Sequence, residues 1–297
     1  MKWEGQDQSS NVEDRRGEAG GGGGGGGGRG FIGGRGIGIG SIAIALVAGW
    51  VFGINPLTVL GMLSGGGLEA PQSQQAPGPA QRPPANDKAA AFASTVLRDT
   101  EQVWGKVMQA GGATYREPKL VLFRGATPTA CGTGQSAMGP FYCPGDAKVY
   151  VDLDFFDTLS NRLGAPGDFA QAYVIAHEVG HHVQNLMGIT AKVDGMRGKV
   201  SEAQMNALSV RVELQADCLA GVWAHHSQQS KGWLERGDIE EALNAASQIG
   251  DDTLQKASRG RVVPESFTHG SSQQRVTWFK RGLDTGSFNQ CNTFDAK

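Results

Sequence analysis

His177-Glu178-Val179-Gly180-His181 is the stretch whose reading decides the fold of this 297-residue chain. Residues four apart on a helix lie one above the other, with β-carbons about 5–6 Å apart. Two imidazoles at that spacing can both reach one zinc ion at about 2.0–2.1 Å. Glu178 is rotated away from their line, so it is poorly placed as a third ligand. It is well placed to take a proton from a water that the ion activates. The flanks agree with a helix: Gly167-Asp168 supplies a turn and an N-cap, and Leu186-Met187-Gly188 a stop. Between them Ala170, Tyr173, Val174, His177 and His181 recur at helical spacing. A surface helix has no reason to place histidines on its apolar stripe, and a metal supplies one.

A third ligand must come from elsewhere. A metzincin would continue with Gly and His where this chain has Gln184 and Met187, which excludes that class. The gluzincin arrangement takes a Glu from a second helix, with an Asp one turn later. Downstream, Ser201 and Gln204 form a capping box, and Met205, Leu208, Val212, Ala216, Leu219 and Trp223 make an apolar stripe. Glu213 lies beside that stripe as the candidate ligand. Asp217, one turn on, could accept the second ring N–H of a ligating His and fix its tautomer.

At this point the chain resembles the bacterial putative neutral zinc metallopeptidases, single-pass membrane proteins with a gluzincin-like site. The resemblance runs through Gly139-Pro140-Phe141-Tyr142-Cys143-Pro144, Val149-Tyr150-Val151-Asp152 and Ala176 to Gln184. It continues through Glu213 to Ala224, Ile249-Gly250-Asp251-Asp252 and Thr268-His269-Gly270-Ser271. Nearly all of the chain after Asp87 is covered. The family implies one catalytic zinc and peptidase-like chemistry without supplying a substrate.

A peptidase also needs a donor for the oxyanion that develops on the attacked carbonyl. His269 precedes an expected helix with Ser271 as N-cap and Gln274 at N3, and Arg275 follows six residues later. This pairing is similar to that of the integral-membrane prenyl-protein endopeptidases, where His and Arg face the tetrahedral intermediate. Those relatives carry Pro after the His, and this chain has Gly270. The competing reading is a surface loop and a solvated helix face. The other histidines read as bystanders. His182 faces another way on its helix, and His225 and His226 close the second helix. Asp251 and Asp252 read as a helix end.

A formal charge of −2 and 7% aromatic residues suit one medium-sized domain with low-complexity additions and give no reason to expect nucleic acid. The Gly-rich run makes residues 1–36 read as a disordered cytoplasmic tail. Gly36 to Leu63 carries no charge, so Ile37–Leu63 reads as a transmembrane helix rather than a signal peptide or core helix. Arginines before it and Glu69 after it place the N-terminus in the cytoplasm and the rest in the periplasm or outside the cell. Residues 64–86, with five prolines, read as an extended linker. The folded domain then spans 87–297, opening with Asp87 as the N-cap of a helix carrying Phe92, Val96, Val103 and Val107.

Cys131, Cys143, Cys218 and Cys291 form an even set that permits three pairings. The favoured one joins Cys131 to Cys143 across a short Gly-rich loop and Cys218 to Cys291, tying the ligand helix to the C-terminus. The absence of a CxxC spacing argues against a structural zinc cluster, and disulfides suit an oxidising compartment. The pattern as a whole is α+β and mostly α, with strands at Lys119–Phe123 and Lys148–Asp152. It gives a zincin-like metallopeptidase domain behind a membrane helix and a Pro-rich linker. Lys148–Leu153 is a candidate edge strand for an extended peptide. The expected function is a membrane-anchored zinc endopeptidase acting on peptides or proteins. The alternatives are an anchored binding or assembly module that keeps the metal site, and a metal-free tether.

Overall fold

The computed structural model describes residues 1–18, 81–136 and 139–295. The fold is mixed α+β and mostly helical. A four-stranded sheet has the order β1 (Val12–Asp14), β2 (Lys119–Phe123), β6 (Lys148–Asp152), β5 (Phe141–Cys143). The first two pairings are parallel and β5 runs antiparallel to β6. A hairpin of β3 (Ala126–Thr129) and β4 (Gly132–Gln135) stands apart. The helices are α1 (Lys88–Ala110), α2 (Asp154–Asn161), α3 (Asp168–Leu186), α4 (Ile189–Asp194), α5 (Glu202–Lys231), α6 (Asp238–Gln248), α7 (Asp251–Arg259) and α8 (Ser272–Thr285).

Side-chain alternation places the sheet. Leu120, Leu122, Val149 and Val151 join the main core, while Val121, Phe123 and Tyr150 cluster with Cys143 on the opposite face. Both faces of β6 are therefore covered, and its edges are taken by β2 and β5. Lys148–Leu153 is not the edge strand expected from its pattern. That position falls to β5, because strand order depends on long-range pairing that alternation does not encode.

The main core lies between the sheet and α1, α3, α5, α6 and α8, with Trp104, Trp223, Trp233, Phe169, Tyr173 and Phe279 fully buried. Two backbone approaches set its geometry. A β-carbon on Gly282 would sit 1.9 Å from the Cys218 carbonyl, and one on Gly221 2.1 Å from the Phe279 carbonyl, so α5 and α8 cross nearly backbone to backbone. The α3–α5 contact is also tight: a β-carbon on Gly180 would meet the Ala216 carbonyl at 3.0 Å. Asp87 caps α1 by accepting from Ala90, and the boxes at Ser201 and Ser271 are formed.

The expectation of a disordered tail over 1–36 is corrected for Met1–Glu18. Val12 is buried against the core, and Val12–Asp14 pair with Leu120–Leu122. Glu13 gathers Arg15, Lys119 and Lys148, which hold its carboxyl at about 2 against the opposing effect of burial. Gly-rich composition further along obscured a short segment with enough apolar and charged groups to dock. A segment paired into the sheet lies on the same side of any membrane as the sheet. The expected separation of a cytoplasmic N-terminus from an outer domain by one span therefore does not match this fold. The stretch Ile37–Leu63 lies outside the described residues, as does the linker up to Ala80. Among the described residues no helix is long and apolar enough to cross a membrane.

Candidate functional site

The site forms where α3 and α5 pass at Gly180. His177 and His181 project from one face of α3, and Glu213 reaches them from α5. The Glu213 Oε2 atom lies 3.1 Å from His177 Nε2 and 3.5 Å from His181 Nε2. One donor atom from each residue falls within 4.8 Å of the others. Ligands about 2.0–2.1 Å from a tetrahedral zinc stand about 3.3 Å apart, so this nitrogen–nitrogen–oxygen set fits zinc in both spacing and donor chemistry.

Charge balance in the cluster is tight. Burial would raise the Glu213 carboxyl, but the imidazoles of His181 and His177 outweigh it and hold the group well below the carboxylate range. For His181, burial works against protonation, yet Glu213 and Glu178 lift the ring to about 9. Glu178 is buried, and burial pushes its carboxyl up against the pull of His181 and His177. A buried carboxylate with a raised pKa beside the ligands suits a group that must both accept and return a proton.

Behind the ligands lies a buried polar network. Asp217 Oδ1 accepts from His177 Nδ1 at 2.8 Å, from the Tyr173 hydroxyl at 2.6 Å and from Arg275 Nη2 at 2.9 Å. Its Oδ2 accepts from Arg275 Nε at 2.9 Å. Burial would raise Asp217, and Arg275 and His177 instead bring it to about 2. The acceptor-only carboxylate fixes His177 as the Nδ1–H tautomer, leaving Nε2 for an ion. Arg275 thus does not face a substrate carbonyl, as the resemblance to the prenyl-protein endopeptidases implied. It is 3% exposed and clamps Asp217 from within.

His269 lies in the loop that precedes α8. Its side chain is 43% exposed, and its Nδ1 lies 3.3 Å from Asp251 Oδ1. Asp251 Oδ2 also accepts the backbone N–H groups of Thr268, His269 and Gly270 at 2.6–3.0 Å. Asp251 is therefore not a mere helix end. It opens α7 and binds the loop that carries His269. Burial would lower His269, but Asp251 and Glu213 outweigh it and raise the ring above its ordinary value.

The remaining histidines do other work. His182 is 1% exposed, with Nε2 2.6 Å from the Arg116 carbonyl and Nδ1 3.0 Å from the Tyr142 hydroxyl. His225 and His226 do not close their helix, which runs on to Lys231. They donate to the carbonyls of Leu283 and Gly286 at the end of α8. Tyr173, Gln184 and Asp251 are the site-supporting residues that sequence reasoning missed. Tyr173 read as an apolar stripe position, and Gln184 served only to exclude a class. Asp251 acts across 18 residues of sequence. The disulfides pair as expected, Cys131 with Cys143 and Cys218 with Cys291.

The family model for the putative neutral zinc metallopeptidases matches residues 1–294. An uncharacterized protein of Escherichia coli, YpfJ, is 53% identical over 294 residues, 99% of this chain and 99% of its own. An uncharacterized protein of Mycobacterium tuberculosis is 46% identical over 193 residues, 61% of this chain and 64% of its own. No solved structure matches the chain.

Proposed function

The chain belongs to the putative neutral zinc metallopeptidase family, and we propose that it is a zinc-dependent endopeptidase with His177, His181 and Glu213 as ligands and Glu178 as general base. The observation that carries this reading is the convergence of those three donors at zinc spacing with a buried carboxylate beside them. Bound there, one zinc ion would polarise the scissile carbonyl and acidify a water. Glu178 takes the proton from the attacking water and returns it to the leaving amine. His269, whose pKa Asp251 raises, offers a donor to the oxyanion. Asp217, held by Arg275 and Tyr173, keeps the His177 ring oriented throughout.

The two disulfides support an oxidising compartment for the domain, periplasmic or extracellular, which Met1–Glu18 then shares. Substrates are peptides or proteins, and the formal net charge of −2 gives no reason to expect nucleic acid. The competing reading, a binding or assembly module that keeps the metal, also predicts bound zinc, so zinc content cannot separate the two.

The deciding experiment is turnover of a peptide library by the full-length protein with and without chelator. Chelator-sensitive cleavage supports the enzyme, and zinc binding with no cleavage supports the module. Glu178→Gln should keep stoichiometric zinc and lose about 10²–10⁴-fold in turnover; parental activity in this variant would remove Glu178 as the base. Glu213→Ala should release the metal, and unchanged zinc content would point to another ligand.

A further inference from the structure

We propose that Gln184 is a positioning residue that holds His181 with its Nδ1 protonated and its Nε2 lone pair turned to the metal position. The inference rests on the zinc reading above and concerns a buried amide which that reading leaves unused. Gln184 has no solvent exposure. Its Nε2 lies 2.7 Å from the Val212 carbonyl and 3.0 Å from Gln215 Oε1.

A carbonyl can only accept, so the NH₂ end of Gln184 must face Val212, and a flipped amide would set two oxygens against each other. Gln215 cannot relieve that clash, because its own NH₂ donates to the Cys291 carbonyl at 3.0 Å. The direction of every bond in the series is therefore set from its far end. What remains is Gln184 Oε1, 2.8 Å from His181 Nδ1. An amide oxygen only accepts, so this nitrogen must carry the hydrogen. The neutral ring then has its lone pair on Nε2, the atom that faces Glu213. The series ends at a fixed point: Cys291 is bonded to Cys218, on the same helix as Val212 and Gln215. Gln184 thus does for His181 what Asp217 does for His177, with a neutral acceptor in place of a charged one.

Two measurements test this. In zinc-loaded full-length protein, ¹⁵N spectra of the imidazoles should show His181 with Nδ1–H present and the metal on Nε2. Metal on Nδ1 would overturn the proposal, and this readout needs no variant. In chelator competition, Gln184→Met, which removes the acceptor and both donors, should weaken zinc about 10–100-fold. Gln184→Glu keeps an acceptor oxygen and loses the donors, so it should restore zinc affinity while melting as early as the Met variant. Equal weakening in both variants would show a packing role alone, and wild-type affinity in the Met variant would show no role at all. Either result overturns the proposal, whereas a wild type that binds no zinc overturns the metal reading beneath it.

Discussion

His177 and His269 each present Nδ1 to an aspartate, yet the two aspartates are built into the molecule differently. Asp217 has no exposure and is gripped by Arg275 and Tyr173 inside the core. Asp251 sits nearer the surface and spends its oxygens on the backbone of the loop it holds. The exposures of the imidazoles follow, 8% for His177 and 43% for His269, as do the Nδ1–oxygen distances of 2.8 Å and 3.3 Å. A metal site gains from ligands that cannot move, because displacement loses affinity. A donor to a developing charge must instead admit the substrate first and tighten later. Under the proposed zinc-peptidase reading, the interior aspartate would serve the first need and the loop aspartate the second.

That contrast can be broken most sharply at Arg275. Arg275→Met leaves Asp217 buried without its cation, which should cost about 3–5 kcal/mol of stability. Thermal unfolding checks it, and an unchanged melting temperature would mean that the network is not what holds the core. His269→Ala is the counterpart: stability and zinc content should stay near the parent, while kcat/KM falls about 10²–10³-fold. Loss of zinc in that variant would erase the distinction between the two histidines. Gly282→Ala tests the crossing that sets the interior network, since its methyl group would strike the Cys218 carbonyl. Overpacking of this kind should lower stability by about 1–3 kcal/mol in denaturant titrations.

The smallest effects are read in pH. Protonated His181, lifted to about 9, stabilises the metal-free fold fully below its unfolded value of 6.5. That contribution disappears as pH rises through about 9. The metal-free protein should therefore lose stability over this interval while zinc affinity climbs, because the proton leaves the ligand. At the loop end, Asp251→Asn removes the carboxylate that raises His269. A limb of the rate profile that reports loss of the His269 proton should then move to lower pH, with zinc affinity unchanged.

Much of the interior site was legible because helical spacing is local information. His177 and His181 on one turn pair, the Ser201 capping box, and Glu213 and Asp217 one turn apart can all be read from a few residues. The two strands at Lys119–Phe123 and Lys148–Asp152 were legible for the same reason, but their neighbours were not. Nothing in Lys148–Asp152 announces that β5 covers its outer edge. The loop end was the harder part. Asp251 and His269 are joined through backbone N–H groups, and any sequence supplies those equally. Arg275 shows the opposite case: the resemblance to the prenyl-protein endopeptidases pointed its side chain at the substrate, whereas its place behind the ligands beside Asp217 is what the hydrogen bonds show.

The backbone N–H of Asp14 donates to the Gln81 carbonyl at 2.8 Å, and Arg16 reaches Asp87. The described residues on either side of 19–80 are thus hydrogen-bonded to one another. Closure entropy grows only as the logarithm of loop length. Replacing 19–80 by a short Gly-Ser link should therefore leave a folded and slightly more stable unit, whereas trimming the protein to begin at Asp87 would strip the outer edge of β2 and invite strands from other molecules to fill it.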